Sequence, residues 1–356
     1  MTAPCPEART ARGPRKCCSV SSRQCQRGVA LLVAIMLVAL GTIIAAAMDY
    51  NNAMTARRVG ATFAFDQAVL VAEGAEALAA YGLQQTAKSN PQYIYPGQAW
   101  SQALPPTEVT AGVTLQASLE DLTGRFNVNN LVTQDGETPN QTAILAFQRL
   151  LGSLNLDQKL AYYIVDWIDK DITPMSPDGA EDSVYMEMNP PYRTPNLPIT
   201  STSELLAMPG VTRAEFDKLA PYIVALPIGT LINVCSASPY LLDALIGHVQ
   251  FNANGPAQFE KDREAAGTCF PTVNQVVQAA QDVAGNGSSS LGQNGGGVTP
   301  GAGAPQTLGS LIGGTSKWFR LTSFVDIDSS EFAVYTLLYQ DPTGMVRPVM
   351  RSFTPD

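Results

Sequence analysis

VALLVAIMLVALGTIIAAAM, residues 29–48, is a run of 20 residues without a charge. At 1.5 Å of rise per residue, a helix of that length spans roughly 30 Å, the hydrocarbon thickness of a bilayer. The flanks of this run are unequal. Residues 1–28 hold six bases (Arg9, Arg12, Arg15, Lys16, Arg23 and Arg27) against one acid, Glu7, for a net +5. The other 328 residues hold 16 bases and 30 acids, a net −14 that brings the chain to its formal −9. A basic head followed by an apolar helix and an acidic body predicts a head left in the cytoplasm and a body exported.

Two kinds of export signal fit this head. One is a secretory signal cut after Ala45-Ala46-Ala47, but such a leader exceeds the usual length of about 15–30 residues. The other is a cut between Gly28 and Val29 that leaves the apolar run on the mature protein as an anchor. The sequence beyond Met48 favours the second. No proline occurs between Val29 and Asn90, so one helix is expected to continue from the membrane to about Tyr81. Val59, Phe63, Leu70, Ala77 and Tyr81 fall at spacings of 4 and 7, a stripe expected to pack on a soluble domain. Arg57, Arg58, Asp66, Glu73 and Glu76 are expected to keep other faces wet. A basic leader ending in glycine before an uncut apolar helix resembles a type IV prepilin. That resemblance implies prepilin-peptidase cleavage between Gly28 and Val29 and N-methylation of Val29. Prepilins usually carry Glu at the fifth mature position, where this chain has Val33. The glutamate is understood to neutralise the N-terminal amine of a neighbouring subunit, so its absence points away from a major pilin and towards the very tip of a filament.

Composition narrows the rest. A length of 356 residues gives a prior of two folded units. At 45% hydrophobic and 15% charged residues, wholesale disorder is excluded. The negative balance argues against nucleic acid as a partner. His248 is the single histidine, which excludes multi-histidine zinc sites and HExxH proteases; at the end of YLLDALIGHV it reads as a helix-surface or capping residue. No G-x-S-x-G nucleophile motif occurs. The head cysteines Cys5, Cys17, Cys18 and Cys25 lack paired C-x-x-C spacing.

The middle of the chain carries three segments: LEDLTGRFNVNNLV at 119–132, DWIDKDITPMSPDGAEDSVYM at 166–186, and STSELLAMPGVTRAEFDKLAPYIVALP at 201–227. The first reads as a strand, a turn at Gly124 and a helix start capped by asparagine. Helices are expected near 140–152 and 156–170, and a proline-rich strip, NPPYRTPNLP, occupies 189–198. The third segment reads as a helix capped by Ser201 or Ser203, a Pro209-Gly210 turn and a second helix stopping at Pro227. After an uncharged, glycine-rich stretch at 285–316, read as a linker, residues 317–356 read as a three-stranded antiparallel meander packed on the wet half of the long helix.

In this order behind a leader lacking the glutamate, DLTGRFNVNNL, DWID…GAED…Y and SELLAMPGV closely resemble the K-type minor pseudopilins of type II secretion systems (general secretion pathway protein K). The resemblance implies an α+β fold, with a pilin-like long N-terminal helix packed on an antiparallel sheet and a large inserted α-helical domain. The domains expected are a cleaved leader at 1–28, a transmembrane part at 29–48, the rest of the helix and first part of the core at 49–130, the helical insert at 131–284, the linker at 285–316 and the meander at 317–356. It implies a non-enzymatic subunit at the tip of an inner-membrane-derived periplasmic pseudopilus, required to initiate assembly and to export folded proteins. Its implied partners are I- and J-type minor pseudopilins, prepilin peptidase and inner-membrane lipid. The other readings are a minor pilin of a type IV pilus and a signal-anchored or secreted calcium-binding protein or hydrolase.

Asp166, Asp169, Asp171, Asp178, Glu181 and Asp182 place six carboxylates within 17 residues. Hard cations such as calcium take six to eight oxygens, so the loop is either a metal site or a solvated acidic loop. The spacing is not that of an EF-hand, because Thr173 and Pro174 stand where a ligand and a glycine are required. The family resemblance implies calcium in this helical domain. The ligand set expected is Asp169, Asp171, Asp178, Glu181 and Asp182, with Asp171, Glu181 and Asp182 first; for Asp166, a helix-face position pointing away from the loop is the alternative to ligation. A glycosidase pair among these acids lacks an aromatic platform beyond Trp167 and Tyr185. The 201–227 hairpin resembles DNA-gripping helix-hairpin-helix units, but Arg213 and Lys218 face Glu204, Glu215 and Asp217, which favours a structural or protein-contact role. Cys235 and Cys269 would meet an oxidising compartment where a disulfide can form; two buried thiols are the alternative.

Overall fold

With no proline to interrupt it, the N-terminal region forms one α-helix, α1 (Arg23–Ser89), in a computed structural model that describes residues 23–286 and 308–354. Pro91 ends it, since the residue before a proline is driven out of helical geometry. From Val29 onward α1 is long and apolar enough to cross a membrane, and residues 29–50 are exposed. The chain divides into a unit up to Phe63 and a unit from Ala64.

In the second unit, α1 lies on a five-stranded antiparallel sheet of order β1-β2-β7-β8-β9. Its strands are β1 (Leu104–Thr110), β2 (Val113–Asp121), β7 (Trp318–Ile327), β8 (Ser330–Gln340) and β9 (Val346–Ser352). The last three are the expected meander, and β2 pairs with β7 in unbroken register from Val113↔Ile327 to Asp121↔Phe319. Alternate residues of the strands meet the helix: Phe319, Leu321, Val325 and Leu338 share a core with Ala68, Ala75 and Leu83.

That packing face corrects the expected stripe. Val59, Phe63, Leu70, Ala77 and Tyr81 are all exposed, Leu70 at 67%. The helix instead turns Ala68, Ala72, Ala75 and Leu83 inward, because small side chains let a helix approach a sheet closely. Glu76 is likewise not wet. It is buried, its carboxylate accepting bonds from Arg351 Nε (2.7 Å) and Nη2 (2.8 Å) and from Thr336 Oγ1 (2.8 Å). Arg351 also reaches Glu73 at 3.0 Å.

Between β2 and β7 the chain builds a helical region with its own core. Its elements are β3 (Phe126–Asn127), α2 (Gln141–Ser153), α3 (Leu160–Ile168), α4 (Asp182–Tyr185), α5 (Arg213–Leu219), β4 (Ile223–Val224), β5 (Ile232–Asn233), α6 (Pro239–Ile246), α7 (Pro256–Ala266), α8 (Val273–Asn286) and β6 (Ile312–Gly313). The glycine-rich stretch is shorter than expected at both ends: α8 runs to Asn286, and β6 pairs in parallel with β5. Its remainder, 287–307, lies outside the described residues.

The 119–132 segment is the seam between sheet and helices. A Cβ on Gly124 would meet the backbone of Ser236 at 2.8–2.9 Å, so only glycine fits. The asparagines that follow bond backbone far along the chain. Asn127 Oδ1 accepts from Leu226 N (3.0 Å), Asn129 bonds both N and O of Ile199 (2.8 Å each), and Asn130 holds Gly229 N and Thr230 O. Asp121 accepts from Ser316 Oγ (2.5 Å) and Asn233 Nδ2 (2.9 Å), closing the insert where it leaves the sheet.

Candidate metal centre

Helix α3 drives one face into the helical core through Leu160, Ala161, Ile164, Val165 and Ile168. That orientation decides where the acids at its end go. Asp166 is fully buried and faces the acidic loop, which sets aside the alternative of a helix-face residue pointing away. Its carboxylate accepts Met175 N at 3.0 Å, and Gly179 N donates to Met175 O at 2.7 Å, so the loop folds back on itself. A Cβ on Gly179 would overlap Asp166 Oδ2 and Met175 N, which accounts for the glycine in PDGAED.

The returning loop brings Asp169, Asp171 and Glu181 together, one carboxylate oxygen of each lying within 4.8 Å of the others. Asp169 and Glu181 are buried and Asp171 is exposed. Among the described residues, no lysine or arginine forms an ion pair with these three or with Asp166. Asp169 Oδ1 and Glu181 Oε1 are buried without a hydrogen-bond partner, and so is the hydroxyl of Tyr185, a fully buried residue electrostatically coupled to Glu181 and Asp166. Burial, reinforced by the neighbouring carboxylates, pushes Asp166 and Asp169 up to about 7. Burial also raises Glu181. Converging acids with unmet acceptors and no counter-charge suit a hard cation.

The structure keeps Asp178 and Asp182 out of this group. Asp178 pairs with Lys159 at 2.9 Å. Asp182 opens α4 and turns towards 192–194, accepting Thr194 N and Oγ1 at 3.2 Å each and pairing with Arg193 at 3.3 Å. Asp169 takes the place expected for Asp182, because α3 ends just before it while α4 starts at Asp182. The sequence reading missed the proline-rich strip as part of the site: Thr194 Oγ1 reaches Glu181 Oε2 at 3.3 Å, and Asn196 Nδ2 donates to Asp171 O at 3.0 Å. A polar residue on either side of Pro195 was the available signal. Trp167 and Tyr185 stack edge-on in the core, 5.3 Å between centroids, and offer no open sugar platform.

A model of the family described as "Type II secretion system (T2SS), protein K" matches residues 124–228, from the Gly124 seam through the acidic loop and hairpin. The type II secretion system protein K of Pseudomonas aeruginosa is 30% identical over 232 residues, which cover 63% of this chain and 69% of that protein. That of Aeromonas hydrophila is 34% identical over 226 residues, covering 60% and 68%. The chain belongs to the type II secretion system protein K family. It is therefore a minor pseudopilin, as its sequence resemblance implied. A solved structure, the GspK-GspI-GspJ complex from enterotoxigenic Escherichia coli, contains a chain with the same fold: TM-score 0.65 at 18% identity, covering 84% of this chain and all of that one.

Two further features complete the helical region. The 201–227 segment carries two capping boxes, Ser201 with Glu204 and Thr212 with Glu215. Arg213 pairs with Asp217 at 2.8 Å, while Leu205, Met208, Phe216 and Leu219 are buried. Its first half is a 3₁₀ helix, Thr202–Ala207, rather than an α-helix. Cys235 and Cys269 form a disulfide, Cα–Cα 4.8 Å, joining the end of β5 to the approach to α8.

Proposed function

We propose that this chain is made as a prepilin, cut between Gly28 and Val29, methylated on Val29 and held in the inner membrane by residues 29–48, with its C-terminal unit in the periplasm. It acts there as a structural, non-catalytic subunit at the tip of the pseudopilus, where it starts assembly that exports folded proteins across the outer membrane. I- and J-type minor pseudopilins are its partners, in keeping with the named complex of its structural relative. The observation that carries the tip position is Val33: a subunit without glutamate there has no carboxylate to neutralise the amine of a subunit ahead of it. The helical region between β2 and β7 adds bulk against stacking of a further copy. Labelling the chain in assembled filaments tests this: label at one end is expected, and label repeated along the shaft refutes it. Intact-mass and N-terminal peptide mass spectrometry on membrane-extracted protein tests the processing, with a methylated Val29 expected and a start at Met48 excluding it.

The acidic loop fits a calcium ion held by Asp169, Asp171 and Glu181, on the grounds of their convergence and their unmet buried oxygens. Such an ion supplies positive charge among acids that otherwise repel, and joins the end of α3 to the start of α4. Calorimetric titration of chelator-treated protein with calcium tests it, and the absence of binding at millimolar calcium removes the ion from the function.

A further inference from the structure

The strip at 189–198 lies against the acidic loop through polar contacts. Pro191, Arg193, Pro195, Leu197 and Pro198 are exposed, and the buried apolar anchor is Ile199, just beyond its end. Tyr192 anchors the strip on the helical core, its ring 5.4 Å from that of Tyr185 and its hydroxyl donating to Ala207 O, and the other contacts meet the acids: Arg193 and Thr194 on Asp182, Thr194 on Glu181, Asn196 on Asp171.

Asn196 is unusual within it. Its φ of 49° lies in the left-handed region, which asparagine tolerates better than most residues. Its Nδ2 donates to Asp171 O, yet its Oδ1 is buried without a partner. The amide orientation is fixed by chemistry, because flipping it would set oxygen against the Asp171 carbonyl. A neutral oxygen therefore stays beside the triad's exposed member, unsatisfied in the same way as Asp169 Oδ1 and Glu181 Oε1.

We infer that Asn196 Oδ1 is a further ligand of the cation held by Asp169, Asp171 and Glu181, so that the ion ties strip 189–198 to the acidic loop. The inference rests on the cation reading above. Calcium accepts carboxamide oxygens, and three carboxylates giving one oxygen each leave its shell of six to eight incomplete. A neutral oxygen adds a donor without adding repulsion. The ion then adds a fastening: with calcium bound both ends of the Asn196 amide hold the strip, and without it only the Nδ2 bond to Asp171 O remains there, beside the anchors at Tyr192 and Thr194.

The test compares full-length, detergent-extracted wild type with Asn196→Gly, which keeps the left-handed backbone and removes the oxygen, and Asn196→Asp, which keeps an oxygen. Two readouts are taken after chelation and calcium addition: the calcium dissociation constant by calorimetry, and the rate of tryptic cleavage after Arg193 by peptide mass spectrometry. Asn196→Gly is expected to weaken calcium binding about tenfold or more, with Asn196→Asp retaining more affinity than the glycine variant. Calcium is expected to slow cleavage after Arg193 about tenfold in wild type but not in Asn196→Gly. Equal melting of wild type and Asn196→Gly in chelator confirms that both are folded. If wild type binds calcium and Asn196→Gly binds it within twofold, Asn196 is not a ligand and the inference is overturned while the cation reading stands. If wild type binds no calcium, the cation reading fails and takes this inference with it.

Discussion

Arg351→Ala is the sharpest probe of how α1 is held to its sheet. In the native protein, Glu76 is buried and receives two bonds from Arg351 and one from Thr336, at 2.7–2.8 Å. Removing the guanidinium leaves a buried carboxylate with one hydroxyl for company. Breaking a fully buried pair costs about 3–5 kcal/mol. Arg351 is 38% exposed in its side chain, so water screens part of the interaction and about 2–3 kcal/mol is the better expectation. For a domain of this size that lowers the melting temperature by roughly 4–9 °C. The assay is thermal and denaturant unfolding of full-length protein in detergent, followed by secondary-structure signal. A cycle with Glu76→Gln separates the pair from the rest of each side chain: removing the charge first should relieve most of the Arg351→Ala penalty, giving a coupling of about 1–2 kcal/mol. A loss within the roughly 0.5 kcal/mol of an ordinary surface substitution, with no coupling, refutes the claim that this pair fastens the helix.

Gly179→Ala should displace Met175 from Asp166, destabilise the protein by about 1–3 kcal/mol and weaken calcium binding, both read from melts with and without calcium. Replacing Cys235 and Cys269 together by alanine opens a crosslink over a sequence separation of 34 and should cost about 3–4 kcal/mol in denaturant unfolding. In chelator, Asp166 and Asp169 titrate near 7 when folded, against about 3.9 unfolded. A raised folded value means their contribution is fully present below about pH 4 and is lost as pH rises through about 7, so the calcium-free protein should lose stability between about pH 4 and 7 and level off above that. Calcium should flatten that slope, and identical melting profiles with and without calcium across this range contradict the reading.

How far the sequence could be read depended on where each partner lies. The apolar run at 29–48 was legible because nothing but its own residues defines it. The meander was legible from alternation and turns, since β7, β8 and β9 pair with immediate neighbours. The packing face of α1 was not, because hydropathy spacing picks out bulky residues such as Leu70 and Tyr81, whereas the sheet selects alanines that fit close. Glu76 looked wet because its partner Arg351 is 275 residues away. The acids of the loop were legible as a set, but choosing Asp169 over Asp182 required knowing where α3 stops and α4 starts. Asn196 was hidden between prolines, its role fixed only by the fold of the strip over the loop.

The interruption of the sheet between β2 and β7 also has a kinetic side. Strand pairing across so long an intervening chain is slow, because loop closure must precede any reward from the contacts. The helical region is expected to lower that barrier. Asp121 and Ser316, 195 residues apart, are hydrogen-bonded to each other and, through Asn233, to the helical core. Once the insert has folded, its two ends sit side by side, and β7 is delivered to the free edge of β2 as though across a short turn. The helical region then acts as a template for the sheet. Folding should proceed from the insert outward, and substitutions at the Asn127–Asn130 seam should slow sheet formation more than equally destabilising changes within β9.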